Sequence, residues 1–296
     1  MASIHQRLLN HAKLSKDEPQ LVLMRFGLER LLYRLSVSEH SPEFVVKGAM
    51  LFLVWTGEPH RATKDLDLLS LKSASLDRLQ KTFQDLCSAK VPDDGLNFLP
   101  ESVHVEEIRE NAAYEGIRVT LEARLGKAHI PLQIDIGFGD VVTPKAKDAV
   151  FPPLLDFPAP HLQMYPKETV IAEKFEAMAK LGLVNSRMKD YYDIWMLSQT
   201  FEFDAALLSK AIRATFKRRK TELPLSLPLA LSMEFSSDAT KQRQWQAFIT
   251  RGRLRISDGS LEKVVTVLQG FLGPMLFENN LLKNRWPKGG PWKTQK

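Results

Sequence analysis

Apolar residues recur at helical spacing over 18–36, where Leu21, Met24, Leu28, Leu31, Leu32 and Leu35 fall on one face. A short β-prone run, Phe44–Lys47, ends at Gly48, and Ala49–Trp55 then reads as a buried helix. Leu66–Leu71 reads as a strand, and 74–88 as a helix with Leu76, Leu79, Phe83 and Leu86 inward. Further strands are predicted at 102–109, 116–125 and 130–138. The last two alternate clearly, with Ile117, Val119, Leu121, Ala123 and Leu125 followed by Ile130, Leu132, Ile134 and Ile136. The Gly126–His129 link between them suits a hairpin.

Beyond Pro144 the pattern changes. Residues 150–166 hold five prolines and read as an extended crossing segment, after which helices are predicted at 167–182, 187–199, 204–220, 238–250 and 261–278. Strands first and helices afterwards predict an α+β fold: a mixed-sheet domain with an N-terminal helix over 1–150, then an all-α domain over 151–296. A length of 296 residues fits two domains at roughly 150 residues each.

Composition narrows the chemistry. Hydrophobic content of 44% with 26% charged residues excludes wholesale disorder. The single Cys87 excludes an intramolecular disulfide, and the seven histidines never fall at zinc-ligand spacings. The longest apolar run, Ala49–Trp55, covers seven residues, far below the ~20 of a bilayer helix. The opening residues lack the continuous apolar stretch of a secretion signal, so the cytoplasm is the expected compartment. Charge is unevenly placed: of a net +6, residues 211–296 hold 16 Lys+Arg against 6 Asp+Glu, whereas residues 1–210 hold 25 against 29. A basic end beside an acidic body fits either a polyanion partner or a solvated helical surface.

The sharpest local feature is KDLDLLSL at 64–71. On a strand, Asp65 and Asp67 share one face and Leu66 and Leu68 the other. Two carboxylates one pleat apart repel by about 4 kcal/mol at ~4 Å and an effective dielectric near 20. A divalent cation relieves this, and hard oxygen ligands suit magnesium. An isolated D-x-D more often marks a solvated pair, so its neighbours decide. Upstream, VVKGAML places Lys47, Gly48 and Ala49 at a strand-to-helix turn whose backbone N–H groups can face a phosphate. Downstream, QIDIGFGD puts Asp135 and Gln133 on the polar face of an apolar strand, where a lone charge is costly unless paired or coordinated. Three such carboxylates form the usual cage for two metal ions in phosphoryl chemistry.

The order strand–Gly–small–helix, D-x-D, then a single Asp on a later strand resembles the polymerase-beta-type nucleotidyltransferase superfamily. With RATKDLDL at 61–68 and YPKETVIAEKFEAMAKLGLVNSRMKDYYDIW at 165–195, the chain resembles the AbiEii/AbiGii nucleotidyltransferase toxins over about residues 40–200. The resemblance implies that Gly48 is the glycine of the first motif, that Asp65, Asp67 and Asp135 hold two Mg²⁺ ions, and that Lys174 and Asp190 are the lysine and aspartate of the helical motifs. Ala49 departs from the family's Gly or Ser and removes one hydroxyl contact to phosphate. Arg61 and Lys64 flank the metal motif, where phosphate contact and a plain surface role are both open. On its own pattern Lys174 borders the apolar face of its helix and either snorkels to solvent or, as the resemblance implies, holds a triphosphate. Glu173 and Glu176 read as solvated. Ser186 reads as the cap of the next helix, Asp190 as a partner for Lys174 or a catalytic hydroxyl, and Asp193 as a partner of Arg187 or Lys189.

Three features carry the C-terminal charge: Lys217, Arg218, Arg219 and Lys220; Arg251, Arg253 and Arg255, which share one side if extended; and a tail with Trp286 and Trp292 among basic residues. The tryptophans would stack on unpaired bases or belong to a frayed tail that nothing touches. The KRRK run either binds RNA or closes a helix with cations. The expected activity is metal-dependent transfer of a nucleotide from a nucleoside triphosphate (NTP), with release of pyrophosphate, to an RNA acceptor. The resemblance implies a tRNA 3′ end as acceptor, a block of translation in a toxin–antitoxin or phage-defence setting, and a cognate antitoxin. Transfer to a protein hydroxyl or a small molecule, and a catalytically idle RNA-binding module, are the alternatives.

Overall fold

The computed structural model describes residues 3–110, 114–254, 256, 259–277 and 284–294. Contacts divide it into two compact units, 1–139 with 146–165 and 140–145 with 166–296.

The first unit opens with α1 (Ile4–Ser15), absent from the sequence expectation; only Leu8 and Ala12 of its face are buried, too few to show as a periodic stripe. Then come α2 (Pro19–Ser36), β1 (Phe44–Lys47), the six-residue α3 (Leu51–Thr56), β2 (Asp65–Ser70) and α4 (Leu76–Cys87, capped by Ser75). Three long strands follow: β3 (Leu96–Glu110), β4 (Tyr114–Leu125) and β5 (Ala128–Phe138). Two short strands are absent from the sequence expectation: β6 (Lys147–Val150), which leads into the proline-rich stretch, and β7 (His161–Met164) within it. The seven strands form one mixed sheet in the order β3-β4-β5-β2-β1-β7-β6. β2 runs parallel to β5, and β1 antiparallel to β2.

Period-two alternation gives this sheet two unlike faces. Ile130, Leu132, Ile134 and Ile136 of β5, with Leu66 and Leu68 of β2, are buried. α2 lies against that side so closely that a Cβ on Gly27 would come 3.0 Å from Leu132 and 3.3 Å from Ile130. The opposite face presents the polar positions of β2, β4 and β5.

A buried charge cluster ties this unit together. Arg30 and Arg34 of α2 both bind Asp94, with Arg34 at 2.6 Å and Arg30 at 3.2 Å. Arg30 also donates to the Pro158 carbonyl, and Glu29 accepts from the Leu154 N–H, so α2 clasps the proline-rich segment. Burial pushes the Asp94 carboxyl up, but Arg34, Arg30 and the Leu96 N–H outweigh it and hold it below the usual range.

The second unit holds α5 (Lys167–Leu181), α6 (Met188–Thr200), β8 (Phe203–Asp204), α7 (Ala205–Arg218), α8 (Met233–Ser237), α9 (Ala239–Gly252), α10 (Leu261–Leu272), α11 (Pro274–Phe277), β9 (Asn284–Trp286) and β10 (Lys293–Thr294). Its helical character follows the pattern; the three-stranded sheet β10-β9-β8 is an addition. Those strands are two or three residues long, too short to show a period. Ser186 is not the cap of α6. Arg187 holds that position, with Asn185 Oδ1 accepting from its N–H. Over its described residues, 284–294, the tail is packed rather than frayed: Trp286 is 3% exposed and donates to the Ser198 carbonyl, while Trp292 donates to Phe271 O and stacks on its ring. Buried in this way, Trp286 is not left to stack on bases.

Removing one partner of a buried ion cluster leaves the others uncompensated, so Asp94→Ala should lower unfolding stability by about 3–5 kcal/mol at pH 7. Because the native carboxyl titrates below its unfolded value near 3.9, the contribution is complete above about pH 4 and fades as pH falls through the native value. Urea midpoints at pH 7 and pH 3 check this; equal midpoints for both proteins at pH 7 would refute it.

Candidate active site

Strand register builds the site. Across the polar face of the sheet, Lys47 of β1 pairs with Asp67 of β2, Asp67 with Asp135 of β5, Asp135 with Arg118 of β4, and Arg118 with Glu106 of β3. One transverse row over five strands therefore alternates cation, two carboxylates, cation, carboxylate. One pleat along, Asp65 pairs with Gln133. Oxygens of Asp65, Asp67 and Asp135, all half-buried, lie within 4.8 Å of one another. At that spacing each carboxylate pair repels by roughly 3–4 kcal/mol at an effective dielectric near 20.

The local structure absorbs part of that repulsion. Arg118 forks onto Asp135, Nε to Oδ1 and Nη2 to Oδ2, each at 2.8 Å, and Gln133 Nε2 reaches both oxygens at 3.3 and 3.2 Å. The hydrogen bonds it donates to Asp135 raise the Arg118 guanidinium above its ordinary value. Thr63 donates its hydroxyl to Asp65 at 2.6 Å. A carboxylate retains lone pairs beyond those an arginine fork uses, so the donor set still suits a hard divalent cation.

Gly48 shows how closely the turn after β1 covers the carboxylates. Its φ is +78°, and a Cβ there would sit 1.9 Å from Asp67 Oδ2. Glycine is required twice, for the left-handed backbone and for the space that Asp67 occupies. Ala49 and Met50 form a turn and α3 begins at Leu51, later than the pattern suggested. Arg61 is half-exposed and bonds to the Ala62 carbonyl. Lys64 is exposed and lines a groove of about 410 Å³ with Thr120, Glu122 and Gln133.

Lys174 and Asp190 lie in the second unit, within one ion cluster. Lys174 Nζ is 2.6 Å from Asp190 Oδ1 and 2.9 Å from Asp193 Oδ2, while Arg187 Nε reaches Asp190 Oδ2 at 2.7 Å. Asp193 thus pairs with Lys174, because three residues along α6 bring both carboxylates to one side. Lys174 is 13% exposed, so its ammonium is held in the cluster rather than snorkelling freely. Burial would push Asp190 up, yet the charges of Lys174 and Arg187 hold it below its usual range.

The basic run is divided in its use. Lys217, Arg218 and Lys220 are exposed, whereas Arg219 is drawn inward by Asp140 at 3.2 Å, Glu173 at 3.3 Å and Glu176 at 2.9 Å. Those contacts raise the Arg219 guanidinium despite its burial, and they replace the RNA contact expected of it. They also correct the solvated reading of Glu173 and Glu176; Glu176 is 3% exposed and accepts a bond from Thr221 as well. Arg251 and Arg253 are exposed but not part of an extended strand. Arg251 lies in the last turn of α9, and Arg253 is its left-handed cap, its N–H bound to Ile249 and Thr250 carbonyls. Arg255 lies outside the described residues.

Arg118 and Thr63 escaped the sequence reading. Arg118 had a signal: counting back from the two-residue turn after Leu125 places it opposite Asp135.

The family model described as nucleotidyl transferase AbiEii toxin, type IV toxin–antitoxin system, matches residues 30–267. Among solved structures, JHP933 from Helicobacter pylori is similar at 16% identity and a TM-score of 0.47, over 91% of this chain and 90% of that one. A candidate nucleotidyltransferase from Helicobacter pylori is similar at 16% identity and a TM-score of 0.42, over 91% and 98%. No curated protein matches significantly.

Gly48→Ala should cost about 1–3 kcal/mol of stability, since it strains the backbone and displaces the Asp67 carboxylate. Chemical denaturation of the two proteins measures it, and an unchanged midpoint would show that the turn yields without loss.

Proposed function

The chain belongs to the AbiEii nucleotidyl transferase toxin family, and from that premise we propose a metal-dependent transfer of a nucleotide from an NTP to an RNA acceptor, a tRNA 3′ end. The observation that carries the reading is the meeting of Asp65, Asp67 and Asp135 within 4.8 Å beneath the Gly48 turn. Their donor chemistry and spacing fit two Mg²⁺ ions, which when bound would neutralise phosphate charge and lower the cost of bringing anions together.

The chain's own residues supply the positioning. Asp65 and Asp67 hold the metal from one strand, so their separation is fixed by the pleat. Lys47, on the strand beside Asp67, and the Gly48–Ala49 turn serve the triphosphate, with Arg61 and Lys64 on the loop that leads into β2. The acceptor hydroxyl attacks the α-phosphorus as the bond to pyrophosphate breaks, and Asp135, steadied by Gln133, takes the hydroxyl proton. Within the helical unit, Lys174 offers an ammonium fixed by Asp190 and Asp193 to a phosphate oxygen. Lys217, Arg218 and Lys220 at the end of α7, and Arg251 and Arg253 at the end of α9, offer exposed positive charge to RNA. The family is one of toxin–antitoxin systems, so an antitoxin partner follows. No helix among the described residues is long and apolar enough to cross a membrane.

Purified protein incubated with each labelled NTP, magnesium and total RNA should label a band of tRNA size. Asp65→Asn or Asp67→Asn should abolish that label while thermal melting stays at or slightly above wild type, because like-charge repulsion falls. Undiminished labelling by either variant would reject the carboxylate assignment, and label on protein or a small molecule would reject the RNA acceptor. The triple change Lys217→Glu, Arg218→Glu and Lys220→Glu should weaken tRNA binding and flatten its salt dependence, since fewer counterions are released. Unchanged affinity and slope would move the RNA surface elsewhere.

A further inference from the structure

The metal-site residues are not equivalent, and the difference lies in Arg118. Asp65 is held by a neutral hydroxyl, that of Thr63, whereas Asp135 has both oxygens on the Arg118 guanidinium and both within reach of Gln133. Arg118 is 32% exposed and Asp135 19%, so the pair sits at the mouth of the site and not in the core. Three carboxylates and one guanidinium sum to two negative charges, the complement of a single divalent cation. Lys47, in register with Asp67 at the other end of the row, further disfavours a second free ion.

We infer that Arg118 is a resident counter-cation that limits the site to one divalent ion until a nucleotide's phosphates bring the charge that admits another. The first ion lodges at Asp65 and Asp67. The second requires Asp135, and Asp135 is given up by Arg118 only when phosphate oxygens offer the guanidinium an equal fork. Glu106, in register on the far side of Arg118, supplies a further acceptor toward which the released guanidinium can turn. Arg118 is thus a positioning residue that makes full metal loading conditional on substrate, and this inference rests on the metal assignment above.

Equilibrium dialysis against Mn²⁺, with bound ion and bound nucleotide both counted, tests it on the full chain. Wild type should hold one Mn²⁺ alone and two per bound nucleotide when the four α,β-imido NTPs are added as a mixture. Arg118→Gln should take a second Mn²⁺ without nucleotide, at least tenfold more tightly than wild type, and its melting temperature should rise more on Mn²⁺ addition. Should Arg118→Gln fail to fold, Arg118→Lys keeps the charge but loses the fork, and should bind the second ion with intermediate affinity. Two ions in nucleotide-free wild type, or one ion with wild-type affinity in the Arg118 variants, would overturn the inference while leaving the metal assignment standing. Absence of Mn²⁺ from wild type, with Asp67→Asn behaving identically, would overturn both.

Discussion

The structure turns on a row of charges crossing a sheet. Two like charges, Asp67 and Asp135, are set side by side on parallel strands, where backbone hydrogen bonding holds them whether or not they repel. Antiparallel neighbours then place a cation at each end of the pair, Lys47 on one side and Arg118 on the other. The backbone imposes the repulsion and the flanking strands supply its partial relief. A site of this kind stores electrostatic cost that a divalent cation can release, and that is what binding by hard carboxylates requires.

The rest of the first unit serves to keep this row in place. α2 covers the apolar face of the sheet and anchors it through Arg30, Arg34 and Asp94, leaving the polar face for chemistry. The turn at Gly48 closes over Asp67 with no room for a side chain, so the distance from backbone to carboxylate is set by sterics rather than by a flexible contact. The second unit uses charge differently. Lys174, Arg187, Asp190 and Asp193 balance one another, two cations against two carboxylates, whereas the single Arg219 draws Asp140, Glu173 and Glu176 around it.

Much of this was legible in the order of residues. Alternation in 116–125 and 130–138 marked two strands and their hairpin, and D-x-D on a strand marked the first two carboxylates. Asp135 stood out as a charge in an otherwise apolar strand. What the pattern concealed has physical reasons. β6 and β7 are four residues each, one leading into a proline-rich stretch and the other within it, too short for a period to register. The tail's small sheet depends on Trp286 and Trp292 finding Ser198 and Phe271, contacts that no local signal announces. Arg219 looks like its neighbours Arg218 and Lys220 in sequence, and only the acids that surround it in the fold separate a structural cation from exposed ones. Ion partners four or more residues away on another element are set by tertiary packing, which composition does not reveal.

Anomalous diffraction from crystals of the nucleotide-free protein soaked in manganese addresses the central claim most directly. A manganese peak bounded by the Asp65 and Asp67 carboxylates, on the polar face of the sheet, is the predicted result. Manganese bound only elsewhere, with the acidic row unchanged and empty at saturating ion, would contradict the account.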